Sequence, residues 1–167
     1  MYLFTGFMRY SVLATDYDGT LATDNHVNEN TLAALSRLRN FGYKLILVTG
    51  RQLDELLQVF RDVDLFDYVV AENGALLYSP TTRQEKLLGS QPPAEFINAL
   101  CDRQVNSLSV GRVIVATLHP QETIVLKTIR QMGLELQVIL NKGAIMVLPS
   151  VINKATGLAA ALDEMQL

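Results

Sequence analysis

Three short apolar runs, residues 10–15, 43–48 and 68–71, alternate with two stretches of helical periodicity. Runs of this length, bounded by turn residues, read as buried strands. Between the first two runs, Asn28 can cap a helix over 28–42. Leu32, Leu35, Leu38 and Phe41 form its apolar stripe, and Gly42 stops it. A second helix is predicted over 53–63, with Leu53, Leu56, Leu57 and Phe60 on one side. Strand, helix, strand, helix, strand in this order predicts an α/β fold with a doubly wound parallel sheet and right-handed crossovers. Ligands of such sheets bind outside the carboxyl ends of the strands. Asp16 and Thr49 fall at two of those ends.

After residue 78 the rhythm changes. Residues 79–83 are turn-rich. Helices are predicted over 93–103 and 120–132, a strand over 112–118, and a hairpin over 134–140 and 144–148 turning at 141–143. This block reads as a small α+β insert, residues 81–149, interrupting a core made of residues 9–80 and 150–167. A last helix is predicted over 154–165. The first eight residues read as an extension, with Met8 a second usable start.

Composition narrows the function classes. The chain has 167 residues, 49% of them hydrophobic and 19% charged, which is too apolar for a disordered chain. No apolar run approaches the ~18 residues of a membrane span. A net charge of -3 argues against a general nucleic-acid binder. The single cysteine, Cys101, excludes an internal disulfide and suits a reducing compartment, so a cytoplasmic location is expected. Cys101 itself reads as a buried helix residue.

The first strand runs into Asp-Tyr-Asp-Gly-Thr-Leu, residues 16–21. Two carboxylates spaced i, i+2 at a strand end suit phosphoryl transfer. Asp16 can attack as a nucleophile and form an aspartyl-phosphate. Asp18 can protonate the leaving oxygen and then activate water. A hard divalent cation such as Mg²⁺ would offset their repulsion and the phosphate charge. Gly19 lets the chain turn sharply away from the strand.

This hexapeptide resembles the first motif of the haloacid dehalogenase-like (HAD) hydrolases, most of which are phosphatases. Ala-Glu-Asn-Gly-Ala at 71–75 and the position of the insert resemble the Cof-type branch, whose cap lies between the second and third motifs. The resemblance implies a HAD-like Rossmannoid core with an inserted cap that closes over the site. It implies Asp16 as nucleophile, Asp18 as general acid/base, and Mg²⁺ held by the Asp16 carboxylate and the Asp18 carbonyl. Thr49 and Gly50 would form the second motif with Arg51, donating to phosphoryl oxygens. Lys154 would be the third, neutralising phosphoryl charge, and its position at a helix start opposes the macrodipole. Gly19 and Thr20 would also contact the phosphate, and Asn73 and Arg51 would face the substrate. The substrate class implied is a small phosphorylated metabolite.

The family's fourth motif, Gly-Asp followed by a further Asp, has no counterpart. Asp62, Asp64 and Asp67 precede the third strand, and Asp163 and Glu164 lie on the last helix. Two expectations follow. Mg²⁺ would be held weakly, by two protein ligands. The core would be incomplete, leaving the first strand as an apolar edge that a second copy, the N-terminal extension or the rest of a longer chain covers. A truncated phosphatase module is therefore expected, with a catalytically weak binding or regulatory domain as the alternative.

Overall fold

The computed structural model describes residues 11–167, so the expected N-terminal extension and the Tyr10 start of the first strand lie outside the described residues. Two sheets form. The first has the order β1-β2-β3-β4-β5, from Val12–Asp16, Lys44–Val48, Tyr68–Ala71, Leu76–Ser79 and Gln84–Leu87. Its first three strands are parallel, and β4 and β5 continue it antiparallel. The second has the order β6-β7-β9-β8, from Ser109–Val110, Val115–Leu118, Ala144–Pro149 and Leu136–Asn141.

The period-2 alternation of β2 decides which helix covers which face. Leu45 and Leu47 point to one side, where α1 (Glu29–Asn40) and α2 (Leu53–Val59) supply Leu35, Leu53 and Leu56. Ile46 and Val48 point to the other, against Leu158, Ala161 and Leu162 of α5 (Lys154–Glu164). Helices on both faces of a parallel sheet make this the expected doubly wound α/β core. The second sheet buries Val115, Ile145 and Val147 against Phe96 and Leu100 of α3 (Ala94–Asp102) and Val125 and Ile129 of α4 (Glu122–Gln131).

Several boundaries differ from expectation. Residues 76–79 and 84–87 are strands of the first sheet, although 84–87 read as part of the insert. Their alternation is weak: β4 is buried along most of its length and β5 is wholly exposed. The second helix ends at Val59, and the chain re-forms a tighter helical turn over Arg61–Leu65. Phe41 leaves the stripe of α1 because it sits at the C-cap and is 75% exposed. Cys101 is exposed rather than buried. Phe96 and Leu100, four apart, are the face of α3 turned to the core, and Cys101 lies one residue off it.

Two glycines bring α5 against the turn that follows β3. A Cβ on Gly74, at φ +102°, would lie 2.0 Å from the Asn153 carbonyl oxygen. A Cβ on Gly157 would lie 2.5 Å from Val70 Cγ1 and 2.6 Å from Gly74 Cα. The start of α5 is capped by Asn153, whose Oδ1 accepts from the Ala155 and Thr156 amides, while Thr156 Oγ1 accepts from Asn153 N. Lys154 is therefore fixed on a short, capped and closely docked helix start. Gly157→Ala is expected to destabilise the fold by roughly 1–3 kcal/mol, the usual range for overpacking, measured by urea denaturation. An unchanged midpoint would contradict this account of the docking.

Candidate active site

The acidic hexapeptide works by alternation. Tyr17 turns inward and is fully buried, its ring 5.4 Å from that of Phe60. Asp16 and Asp18 therefore both turn the other way, into a cavity of about 650 Å³ between the two sheets. The chain then leaves the strand through Gly19, at φ +80°, and Leu21 and Ala22 re-enter the core and pin the loop. Both Leu21 N and Ala22 N donate to the Tyr17 carbonyl.

Each carboxylate meets a cation from a distant element. Lys154 Nζ donates to Asp16 Oδ1 at 2.7 Å, joining residues 138 positions apart. Arg51 holds Asp18 as a fork: Nε donates to Oδ2 at 2.9 Å and a terminal nitrogen to Oδ1 at 2.5 Å. The same guanidinium donates to Asn25 Oδ1 at 2.5 Å and lies 5.3 Å from the centre of the Tyr17 ring. The hydrogen bond to Asp18 raises the Arg51 pKa above its ordinary value, against the opposing effect of burial. Burial raises the Tyr17 pKa, partly countered by Arg51.

The remaining expected site residues divide. Gly50 and Asn73 line the cavity with Asp16, Asp18, Arg51 and Lys154. Asn73 lies so near Gly50 that a Cβ there would be 3.0 Å from its Oδ1. Thr49 is fully buried, and its Oγ1 accepts the Arg51 amide at 3.1 Å. Thr20 is exposed in the turn after Asp18, with its amide on the Tyr17 carbonyl. Gly50 sits in a bend, and α2 starts only at Leu53. Arg51, expected to face the substrate, is the most connected cation of the site.

Sequence reasoning passed over two residues. Glu72 reads as part of a simple turn, but it is fully buried at φ +52°. Its Oε1 accepts from Arg112 N at 2.9 Å, and its Oε2 accepts from Val113 N at 2.8 Å and Ile114 N at 2.9 Å. One carboxylate thus ties the first sheet to the segment leading into β7. Its one sequence signal is a charge set among apolar residues at a strand exit. Lys142 reads as a turn residue, yet that turn hangs over the acidic loop. Its Nζ lies 3.8 Å from where a Cβ on Gly19 would be.

The donors near Asp16 are hard oxygens of the kind Mg²⁺ takes, with waters completing its shell. Among the described residues no group of three or more His, Cys, Asp or Glu converges on one point. The residues whose oxygens could hold such an ion are Asp16 and Asp18, which both line the cavity.

A family model described as haloacid dehalogenase-like hydrolase matches residues 13–132. The chain belongs to the haloacid dehalogenase-like hydrolases. It is 37% identical over 79 residues to the Bacillus subtilis protein YxeH, covering 45% of this chain and 29% of that one. To the HMP-PP phosphatase of Escherichia coli O157:H7 it is 37% identical over 67 residues, 40% of this chain and 25% of that one. The matched stretches span about a quarter to a third of these relatives' own lengths. Among solved structures, a haloacid dehalogenase-like hydrolase from Bacteroides thetaiotaomicron aligns with TM-score 0.77 at 14% identity, over 95% of this chain and 78% of that one. A subclass IIB sugar phosphatase of the superfamily aligns with TM-score 0.69 at 16% identity, over 94% and 76%. These two share the fold. The family match agrees with the resemblance carried by residues 16–21. Among the described residues no helix is long and apolar enough to cross a membrane.

Proposed function

We propose that the chain is the module of a Mg²⁺-dependent phosphomonoesterase that acts on a small phosphorylated metabolite in the cytoplasm. The observation that carries this reading is the 2.7 Å contact of Lys154 with Asp16, which puts a cation beside the expected nucleophile. An Asp16 oxygen attacks phosphorus, the ester P–O bond breaks, and an aspartyl-phosphate forms. Asp18 supplies the proton that the leaving alkoxide takes up. Water then attacks phosphorus, gives its proton to Asp18 and releases inorganic phosphate, restoring Asp16. Lys154 and cavity amides offset charge on the phosphoryl oxygens, with Gly50 in the bend and Asn73 beside it. Asp16 and the Asp18 carbonyl would hold Mg²⁺, which supplies charge neutralisation when bound.

Arg51 has donors only, so the Asp18 oxygens it grips can accept but not give a proton. The proton-donor role therefore requires Arg51 to release one oxygen. Glu55, 3.7 Å away, and the Tyr17 ring are the alternative partners for it. The second sheet with α3 and α4 forms the cap in this reading, and the first sheet with the other helices forms the core. The β1 edge pairs only with β2 among the described residues. We read this edge as one that a second copy covers, which sedimentation would register as a dimer.

Hydrolysis of p-nitrophenyl phosphate, with and without Mg²⁺, tests the proposal. Release that depends on Mg²⁺ and needs a high concentration to saturate is expected; no metal-dependent release would sink it. The grip of Arg51 on Asp18 also supports a second reading, a binding or regulatory module that takes phosphate without turnover. Phosphate binding by calorimetry without product release would favour that one.

A further inference from the structure

The backbone of Arg51 is pinned on both sides. Its amide donates to Thr49 Oγ1 at 3.1 Å, and its carbonyl accepts from Glu72 N at 2.9 Å. Thr49 and Glu72 are both fully buried. The residues that follow are held from the segment leading into β7. Gln52 Nε2 donates to Ser109 Oγ at 2.9 Å, and Arg112 Nη2 donates to Asp54 Oδ1 at 2.9 Å. Any change of partner by Arg51 is therefore a movement of its side chain alone.

The guanidinium lies between two carboxylates. Nε and Nη2 grip Asp18, and Nη2 also donates to Asn25 Oδ1. Among the described residues Nη1 makes no hydrogen bond, and it lies 3.7 Å from Glu55 Oε1. Glu55 stands at i+4 from Arg51, so the two side chains are neighbours. It lines the same cavity as Asp16 and Asp18. Among the described residues Arg51 is its one ion-pair partner. Closing the gap by about 1 Å gives a charge-assisted hydrogen bond. The exchange trades one carboxylate for another, so the guanidinium is never left without a counter-ion. The Tyr17 ring, 5.3 Å from the guanidinium carbon, has no full charge to offer in its place.

We infer that Glu55 is a positioning residue: it takes Arg51 from Asp18 during turnover and so frees an Asp18 oxygen to serve the leaving group. The inference rests on the phosphatase reading and adds a residue to it. The freed oxygen carries a proton taken from solvent. That proton passes to the ester oxygen as the P–O bond breaks and its electron pair leaves with the oxygen. The water that later attacks phosphorus returns a proton to Asp18.

A contrast of leaving groups tests it. p-Nitrophenolate leaves without a proton, whereas the alkoxide of 4-nitrobenzyl phosphate, one methylene larger, needs one. The readout is kcat/KM, which reports the step that expels the alcohol. In Glu55→Gln the neutral amide competes poorly for the guanidinium. The benzyl ester is expected to lose at least about tenfold relative to the phenyl ester, part of the ~10²–10⁴ that a positioned proton donor contributes. The Glu55 side chain is 59% exposed, so the change leaves the core intact. A merely structural role would slow both esters alike. An equal loss for both, or none, overturns the inference and leaves the phosphatase reading standing. Crystals of the wild-type chain and of Glu55→Gln, soaked in orthovanadate and Mg²⁺, separate the two failures. Arg51 on Glu55 in the wild type and on Asp18 in the variant supports the exchange even if no ester turns over. Arg51 still on Asp18 in the wild type, or moved onto the vanadate, overturns it.

Discussion

Asp16→Asn is expected to lower kcat for phosphomonoester hydrolysis by at least about a thousandfold, the scale on which loss of a covalent nucleophile acts. An amide oxygen is a poor nucleophile and forms no stable acyl-phosphate. It remains an acceptor, so the Lys154 ammonium now 2.7 Å from Asp16 keeps a partner. The Asp16 side chain is more than a third exposed, so the lost ion pair is screened and adds little to folding. The signature is therefore a large loss of activity with a nearly unchanged thermal midpoint. Single-turnover assays and a melting curve on the same preparation check both halves. Retained turnover would remove Asp16 from the nucleophile role, and a collapsed midpoint would make the lost activity uninformative about chemistry.

Glu72→Ala is expected to give the opposite signature, a large loss of stability. The carboxylate is fully buried, and three backbone amides of residues 112–114 depend on it. Removing it leaves those donors with no acceptor, those of Val113 and Ile114 buried, and opens a cavity. A loss of about 3–5 kcal/mol is expected for breaking a buried charged contact from one side. For a chain of this size that is a drop of roughly 6–20 °C in Tm. Gly111 sharpens the case, since a Cβ there would lie 2.5 Å from Glu72 Oε1. Arg112 adds ion pairs from the same segment to Asp54 and Glu85, but these are partly exposed and weaker. Hydrogen exchange locates the effect. The amides of Arg112, Val113 and Ile114 should lose protection first, ahead of the β2 and β3 amides. Uniform loss across both sheets would contradict a local tether.

The two signatures come from parts of the chain that differ in how well sequence reveals them. Asp16, Asp18 and Gly19 are local: strand alternation turns both carboxylates one way and Tyr17 the other, and a positive φ asks for the glycine. The helix starts at Asn28 and Asn153 are local too, because a cap is a contact within three residues. Lys154 could be singled out because a lysine at a helix start stands against the macrodipole. Arg51 could not be weighed, because its partners Asp18 and Asn25 lie more than twenty positions back. β4 and β5 carry no clean alternation, since one is buried almost throughout and the other is exposed on both faces.

By itself, then, the sequence determined the alternation of strands and helices, the side of the sheet on which chemistry sits, and the two carboxylates that would perform it. These follow from periodicity and from contacts a few residues long. The tertiary structure alone decided how the site is populated. It brought Lys154 to Asp16, locked Arg51 onto Asp18, and buried Glu72 beneath the start of β7. Each of these depends on which distant segments share a neighbourhood. That is fixed by the docking of the second sheet and α5 onto the first, not by the residues' own place in the chain.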